Sequence, residues 1–476
     1  MKSCAIAERL LLITGLILAL HGCGGSGGSG GEVPVAEPGY FDAPFVSASE
    51  LAGQCSDTRQ KQFIRSHLDE VYLWPDLVQR RNAFDYDTPA DYFKAILTPP
   101  PLDRFSFSSP SDDADALEGA QAFDVGIYWV NVGTTDAPFW RVARVEPNSP
   151  AATAGLRRGD TLYGRVRTNL YTNSDQALFY DFGYLRNGQF LQANLRPEAI
   201  FEDPVGTVIQ IRQNTRNIAY IGFESHYANA QDQLIDAFRQ MASQGVTDLV
   251  LDLRYNSGGY LYIASTLASM LTPSRTLVTQ PVFVRLQLNA KQADSYRNAV
   301  LRMSPNVQYT ADSARFKPGS VLPQLRLQSI YILTTEVTCS ASESLINGLR
   351  GVGVTVNTIG NTTCGKPYGM SRQDNCGRAY YPIEFKGVNA LGESDFSNGF
   401  APTCTVADDL DHPRGDPQEA QLNAALIHMQ TGVCPDSVFT AARSAATAQM
   451  SPRPMTLSDA PPQRRRPGMS LFALPD

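Results

Sequence analysis

Ser340, Lys366 and the paired glycines 258–259 are the residues of this sequence best suited to nucleophilic catalysis. Ser340 lies in T-C-S-A-S-E-S, directly after a predicted strand at 330–334 and before a predicted helix. A serine at such a junction is exposed and faces the free amides of the helix. The same pattern is also typical of a helix N-cap, with Glu343 as its capping-box partner.

Lys366 is placed to act as the base that a serine nucleophile needs. It follows a predicted strand at 355–359, in the loop C-G-K-P-Y-G, 26 residues after Ser340. That interval has room for one helix and one returning strand. To be neutral near pH 7, its pKa must fall from about 10.4, which requires an enclosed, largely apolar pocket. The alternative is an ordinary solvated loop lysine.

The two glycines end the segment L-D-L-R-Y-N-S-G-G, where a predicted strand at 249–253 runs into a turn. Successive glycines let backbone N–H groups approach a ligand closely, as an oxyanion site requires. Alone, such a turn is a weak signal, because most Gly-Gly pairs are plain turns. Together with Ser340 and Lys366 it indicates acyl transfer by a serine nucleophile.

The elements that must position these residues alternate between strand and helix. Strands are predicted at 218–223, 249–253, 330–334 and 355–359, and helices between them at 232–241, 261–271 and 342–349. This alternation is typical of an α/β fold with a parallel sheet. Before it, residues 55–97 have helical periodicity and end at three prolines, which the segment D-R-F-S-F follows.

Residues 121–200 contain short β-rich runs, and the stretch S-P-A-A-T-A-G-L-R-R-G-D within 142–162 resembles a PDZ domain. PDZ domains bind an extended peptide and its terminal carboxylate at a sheet edge. The resemblance places the carboxylate loop at Val125, Gly126 and Ile127, although the usual second glycine is missing there. The module could also serve only to position the catalytic domain.

Residues 215–430 resemble the C-terminal processing (tail-specific) serine peptidases in the motifs L-D-L-R-x-N-x-G-G, S-A-S-E and G-K. The resemblance implies a ClpP/crotonase-like α/β catalytic domain that needs no cofactor. It also implies Ser340 as nucleophile and Lys366 as general base. The implied oxyanion donors are the backbone amides of Ala341 and Gly258.

One residue departs from the family pattern. Met370 stands where the family usually has a glutamine that holds the lysine. Because a thioether is a poor hydrogen-bond partner, Gln373 or a backbone carbonyl must orient Lys366, or activity is reduced. Met370 also adds apolar surface, which favours a neutral lysine. A related branch of the family uses a Ser–His pair, and His226 is the candidate here, but no aspartate partner is evident.

The N-terminus predicts export. Lys2 and Arg9 precede an apolar run at 10–20, too short to span a bilayer but typical of a signal peptide. The sequence L-H-G-C then resembles a lipoprotein signal in which Cys23 receives the lipid, and the Gly/Ser stretch 24–31 would act as a tether. The alternative is an ordinary signal peptide with a chance cysteine. Gly24 favours the outer membrane, with the protein facing the periplasm.

Export makes disulfides the expected state of six remaining cysteines. Five of them lie after residue 338, so we expect bridges to brace that region. A Cys339–Cys364 bridge would tie the serine loop to the lysine loop, and Cys364–Cys376 is an equally short-range alternative. The sequence has no C-x-x-C pair and no other metal-binding motif.

Composition narrows the classes of protein. The chain has 476 residues, of which 43% are hydrophobic and 18% charged, so a sizeable core is possible. A net charge of −7 disfavours nucleic acid as the main partner. The predicted organisation is a signal peptide (1–22), a tether (23–50), a helical domain (51–118), a PDZ-like domain (119–200), a catalytic domain (201–436) and a disordered tail (437–476).

These observations predict a lipid-anchored envelope serine endopeptidase that cleaves protein substrates near extended C-termini. The competing hypothesis is a catalytically silent lipoprotein that binds peptide tails as an adaptor. Met370 and the altered loop around Gly126 are the residues that motivate it.

Overall fold

Helices form the first part of the computed structural model, which describes residues 39–133, 137–171, 177–292, 299–435 and 470–471. The predicted signal peptide, Cys23 and nearly all of the predicted tail lie outside these ranges. The first elements are α1 (Ala48–Leu51), α2 (Asp57–Val71), α3 (Pro89–Ile96), β1 (Phe107–Pro110) and α4 (Ser111–Glu118), with 3-10 turns at Pro75–Leu77 and Ala83–Asp85. The prediction of helices over 55–97 is confirmed.

Local sequence explains where these helices start and how they pack. The Thr88 side chain caps α3 by accepting from the Asp91 amide, and Pro89 occupies its first turn. The apolar faces of α2 and α3, including Phe63 and Phe93, bury themselves against Tyr380 far along the chain. The N-terminal helices therefore share a core with the peptidase part of the fold.

A β-rich unit follows, formed by β2 (Gln121–Asp124), β3 (Ile127–Asn131), β4 (Trp140–Val145), α5 (Pro150–Thr153), β5 (Thr161–Tyr171), β6 (Ala177–Arg186), β7 (Gln189–Leu195) and β8 (Glu198–Phe201). Five strands form one antiparallel sheet in the order β3-β4-β5-β6-β7, and β2 pairs with β8. The Ser149 hydroxyl caps α5, as the S-P-A motif predicts. Strand β3 lies at the edge of its sheet.

The rest of the chain is an α/β layer structure. Its elements are β9 (Ile209–Gln213), β10 (Arg216–Gly222), α6 (Ala230–Ser243), β11 (Asp248–Asp252), β12 (Gly259–Tyr260), α7 (Leu261–Leu271), α8 (Ser274–Leu277), β13 (Val282–Leu288), β14 (Val300–Arg302), β15 (Ser329–Thr334), α9 (Ala341–Gly351), β16 (Thr355–Gly360), β17 (Tyr368–Gly369), β18 (Gln373–Asn375), β19 (Arg378–Tyr381), β20 (Phe385–Val388), β21 (Cys404–Thr405), α10 (Ala420–Thr431) and β22 (Ser470–Leu471).

The central sheet has the order β21-β16-β15-β11-β10-β9, and every pair except β10–β9 is parallel. Alternate residues of a strand enter different cores: Leu251 packs with the helices α6, α7 and α9, whereas Val250 packs with α10. Helices thus cover both faces, as parallel strands require. The predicted α/β class with parallel pairing is confirmed.

Two antiparallel sheets flank this layer, in the orders β14-β13-β20-β17 and β1-β19-β18. Within the described ranges three disulfides form, Cys55–Cys376, Cys339–Cys364 and Cys404–Cys434. Of the two pairings considered for Cys364, the one with Cys339 is confirmed and the one with Cys376 is wrong. The cause is spatial: Cys376 directly follows β18, whose Asn375 Oδ1 accepts at 2.9 Å from the Gly53 amide in the α1–α2 loop that carries Cys55.

The prediction of a disordered tail needs a correction at two residues. Ser470–Leu471 form β22, which pairs with β12 in a parallel arrangement. The composition of the tail, rich in alanine, proline and arginine, predicted no structure here, but β12 offers backbone groups to any extended segment that reaches them. No helix among the described ranges is long and apolar enough to cross a bilayer.

Candidate active site

Ser340 occupies the sharp turn between β15 and α9. The expectation of an exposed serine is wrong, because Ser340 is fully buried. Its φ of 61° lies in the left-handed region that residues other than glycine rarely adopt. Such strain is characteristic of functional turns. Within the described ranges the Ser340 Oγ atom has no hydrogen-bond partner at all, while the Ser340 amide donates to Glu343. The next residue, Ala341, begins α9 and brings one of the amides that a helix leaves unpaired.

Lys366 lies in a pocket that disfavours its charged form. Its side chain is 1% exposed, and burial lowers the pKa to about 7, although Asp103 and Glu343 act in the opposite direction. The Nζ atom lies 5.3 Å from the centre of the Phe105 ring and 3.9 Å from Met370 Sδ. The pocket is thus apolar on at least two sides, as the sequence requires of a lysine base.

Glu343 joins the serine loop to the lysine loop. Its Oε2 accepts from the backbone N–H of Ser340 at 3.0 Å and from that of Lys366 at 2.8 Å. Its Oε1 accepts from the Gly365 amide at 2.8 Å and from the Thr363 hydroxyl at 2.6 Å. Burial raises the pKa of Glu343, while these donors lower it in part. One carboxylate therefore fixes both backbones.

The Cys339–Cys364 disulfide adds a covalent link at the same place. It connects the residues directly before Ser340 and two before Lys366. Sequence reasoning anticipated this link but saw Glu343 only as a capping-box residue. The signal for its wider role is the loop N-T-T-C-G-K, whose small residues leave successive backbone amides able to surround an acceptor.

The glycine turn adjoins the serine loop, because the Asn256 carbonyl accepts from the Cys339 amide at 3.2 Å and from the Ser342 hydroxyl at 3.1 Å. Its φ values are 110° at Gly258 and 138° at Gly259. A Cβ at Gly259 would lie 2.6 Å from the His226 carbonyl oxygen, so no side chain fits there. The amide of Gly258 donates to Asn256 Oδ1 at 3.0 Å. An oxyanion at this turn would have to share the Gly258 hydrogen or use the amide of Gly259.

His226 is part of the support of this turn. Its Nδ1 lies 3.1 Å from Asn256 Oδ1, and burial lowers its pKa to about 3. Asn256 Nδ2 donates to the Phe223 carbonyl, so the Oδ1 atom is the acceptor for both Gly258 and His226. The histidine is therefore neutral and hydrogen-bonded to an amide, with no carboxylate at its Nδ1.

Arg254 anchors the strand end that carries the turn. Its guanidinium is fully buried and donates to Asp252, Asp408 and Glu419. Asp408 also accepts from Arg158 of the β-rich unit. Asp408 therefore joins two structural units.

The loop after α3 covers the lysine and was noted in the sequence without a role. Asp103 accepts from the Tyr72 hydroxyl at 2.5 Å and from the backbone amides of Phe105 and Ser106 at 3.0 Å. Arg104 donates to the carbonyl of Cys364 at 2.9 Å. The segment D-R-F-S-F thereby sets the Phe105 ring beside Lys366.

Two groups of predicted site residues lie elsewhere. Gln373 is on β18, where its amide donates to the Asp374 carbonyl, whereas the contact with Lys366 comes from Met370. Val125, Gly126 and Ile127 are in the β-rich unit, with the two apolar side chains buried. The amides of Val125 and Gly126 donate to Asp124 Oδ1, at 2.5 and 3.4 Å. A carboxylate of the chain itself thus occupies the amides predicted to bind a peptide carboxylate.

Residues 217–383 match the model of the family "Peptidase family S41", and residues 59–107 match that of the "Peptidase S41 N-terminal domain". A solved structure assigned as an S41 protease from Bacteroides fragilis has a TM-score of 0.59 and 23% identity, and the match covers 78% of this chain and 98% of that one. This likeness shows the fold.

Two further solved structures are more distant. A photosystem II D1 C-terminal processing protease has a TM-score of 0.45 and 18% identity, covering 74% of this chain and 93% of that one. Mature CPAF complexed with lactacystin has a TM-score of 0.40 and 10% identity, covering 74% and 94%. No curated protein matches the sequence significantly.

Proposed function

We propose that the chain, whose residues 59–107 and 217–383 match the models of peptidase family S41, is an exported serine endopeptidase. Ser340 is its nucleophile and Lys366 its general base. The observation that carries the proposal is the pairing of a strained serine without a hydroxyl partner and a buried lysine whose pKa falls to about 7. Glu343 and the Cys339–Cys364 disulfide hold their loops together.

In the proposed reaction, neutral Lys366 accepts the proton of the Ser340 hydroxyl while Oγ attacks the substrate carbonyl. The tetrahedral oxyanion is stabilised by the Ala341 amide and an amide of the Gly258–Gly259 turn. The Lys366 ammonium then protonates the departing amine. Water, deprotonated by Lys366, hydrolyses the acyl-enzyme and restores Ser340. Catalytic hydrogen bonds commonly shorten only when substrate binds, so the contact between the two side chains forms at that stage.

Cleavage of an unfolded protein by the purified chain tests this assignment. We expect Ser340→Ala and Lys366→Met each to lower kcat/KM by about 10⁴-fold or more, because members of a catalytic unit fail together. Ser344→Ala on the same helix and Lys317→Met on the surface are matched controls and should keep full activity. The dyad is refuted if Lys366→Met retains activity, and His226 would then be the next base to test.

The substrate class is a protein with an extended C-terminal region, which β3, the end strand of its sheet within the described ranges, would bind by strand addition in a PDZ-like unit. Asp124 opposes this, since it holds the amides of Val125 and Gly126. Asp124→Ala should therefore tighten binding of peptides with a free carboxylate but leave peptide amides unaffected. Equal effects on both peptides would show that this loop is not a carboxylate site.

A catalytically silent adaptor is the second candidate, and the contact of Met370 with Lys366 is the observation that favours it. An adaptor would bind extended peptides and cleave none. Absence of cleavage by the intact chain, together with peptide binding unchanged by Ser340→Ala, would establish it.

We also place the protein at the cell envelope, anchored by a lipid on Cys23, most simply in the outer membrane. The described ranges do not include Cys23. Metabolic labelling with a radioactive fatty acid should label the parent chain but not the Cys23→Ser variant. An unlabelled parent chain would show that the protein carries no lipid on Cys23, whether or not it is exported.

A further inference from the structure

The chain places one of its own segments beside the candidate active site. β22 pairs in parallel with β12, setting Ser470 opposite Gly259 and Leu471 opposite Tyr260. β12 is the two-residue strand directly after the Gly258 amide, and on its other side it bridges to His226. The backbone of residues 470–471 therefore runs along the turn proposed to hold the oxyanion.

The same segment also approaches the lysine loop. β22 lies beside β17, Tyr368–Gly369, which begins two residues after Lys366. An extended backbone that pairs with one loop and lies beside the other takes the course expected of a bound peptide, since peptides commonly bind proteins by adding a strand to an exposed edge.

The burial of the catalytic pair agrees with an occupied cleft. Ser340 has 0% exposure and Lys366 1%. A peptidase must expose its nucleophile to substrate, so whatever lies over these residues has to move before a protein can be cleaved. The part of the chain that pairs with the turn, β22, is held by backbone pairing to a two-residue strand, a small interaction that is readily exchanged.

We infer that the segment containing Ser470 and Leu471 occupies the substrate strand position and acts as an intramolecular inhibitor that an added peptide must displace. This inference rests on the proposed function. A tethered segment competes at an effective concentration in the millimolar range, without needing a strong interaction of its own. If it is docked nine-tenths of the time, the apparent affinity for an added peptide falls about tenfold.

Binding of a fluorescein-labelled peptide with the sequence of residues 466–476 tests the inference. All proteins carry Ser340→Ala, so neither the segment nor the probe is cleaved. In the double variant Ser470→Pro/Leu471→Pro the pairing loses both backbone donors. We expect this variant to bind the probe about tenfold more tightly than the parent chain, measured by fluorescence polarisation. Ala446→Pro, in the same tail but outside β22, is the matched control and should bind like the parent.

Equal binding by the double variant and the parent would overturn the inference, and so would an absence of probe binding by the double variant. Neither result touches the proposed function, which is judged separately by cleavage with Ser340 intact. In that active background the double variant should lower KM about tenfold and leave kcat unchanged. A change in kcat alone would also contradict occupancy of the substrate position.

Discussion

Two buried cations in this molecule, Arg254 and Lys366, lie in opposite electrostatic surroundings. Burial alone would lower the pKa of Arg254. The carboxylates around it, first Asp252 and then Glu419, instead raise it well above its ordinary value. Lys366 has an aromatic ring and a thioether beside its Nζ atom, and burial lowers its pKa to about 7.

The carboxylates close to the two cations differ in the donors whose hydrogen bonds they accept. Asp252 receives two donors from the Arg254 guanidinium. Glu343 is also buried and close to Lys366, but its oxygens accept from backbone amides and the Thr363 hydroxyl. A cation bonded directly to carboxylates fixes structure, whereas one in a largely apolar pocket stays ready to exchange a proton.

The largest expected effect is the loss of the cation that is bonded to carboxylates. Arg254→Met leaves Asp252 and Glu419 buried without this guanidinium, and we expect the free energy of unfolding to fall by about 3–5 kcal/mol. Lys366→Met, by contrast, removes a group that is costly to bury and should raise the free energy of unfolding. Urea unfolding at pH 7 measures the free energy of unfolding of both variants. An equal loss of stability in the two would contradict the predicted difference between Arg254 and Lys366.

The increase in the free energy of unfolding that Lys366→Met causes should depend on pH in a defined direction. The pKa of Lys366 is about 7 in the folded chain and about 10.4 in the unfolded chain. Between these two pH values the lysine is protonated only in the unfolded chain, so the cost of burying it falls as pH rises. The stabilisation should thus be largest below pH 7 and should vanish by about pH 10.5. A gain that is independent of pH would show that packing, not charge, is its source.

The next prediction concerns two disulfides that close loops of similar length but should differ in their effect on kcat. Cys339–Cys364 spans 25 residues and Cys404–Cys434 spans 30. Replacing either pair by alanines should lower stability by about 2–4 kcal/mol, because the loop entropies are similar. Only the first pair links the serine loop to the lysine loop, so only its loss should lower kcat. Equal kcat in both double variants would restrict the first bridge to a structural role.

Most of the helices and strands of the α/β layer could be predicted from the sequence, because strand-helix alternation and apolar runs are local signals. The sequence placed Ser340 and Lys366 at strand ends, and the structure brings their backbones to one carboxylate. It did not reveal Asp103 or Phe105, since their relation to Lys366 depends on how the N-terminal helices dock against β18 and β19. The Cys55–Cys376 bridge was likewise hidden, because no local pattern relates cysteines 321 residues apart.

Asp124 shows a second kind of limit. The sequence located the loop at Val125 and Gly126 from its similarity to PDZ domains, but a side chain that turns back onto its own loop cannot be read from spacing. The same holds for Ser470 and Leu471, because a prediction from composition takes no account of the backbone pairing that β12 provides. In each case, backbone amides take part in the contact that decides the local structure, and every residue except proline has one.

The smallest and sharpest test concerns Met370. Because a base works only when neutral, kcat/KM should rise with pH through an apparent pKa of about 7. In Met370→Gln the amide oxygen accepts from the ammonium and favours it, so the midpoint should move up by about one pH unit, or about 1.4 kcal/mol. Met370→Leu is the matched apolar control and should leave the midpoint in place. The plateau at high pH reports orientation separately: a higher plateau in Met370→Gln would mean that the thioether holds Lys366 poorly. An unmoved midpoint in that variant would show that the pKa of Lys366 is set without Met370, and the contrast with Arg254 would then rest on Phe105 and burial alone.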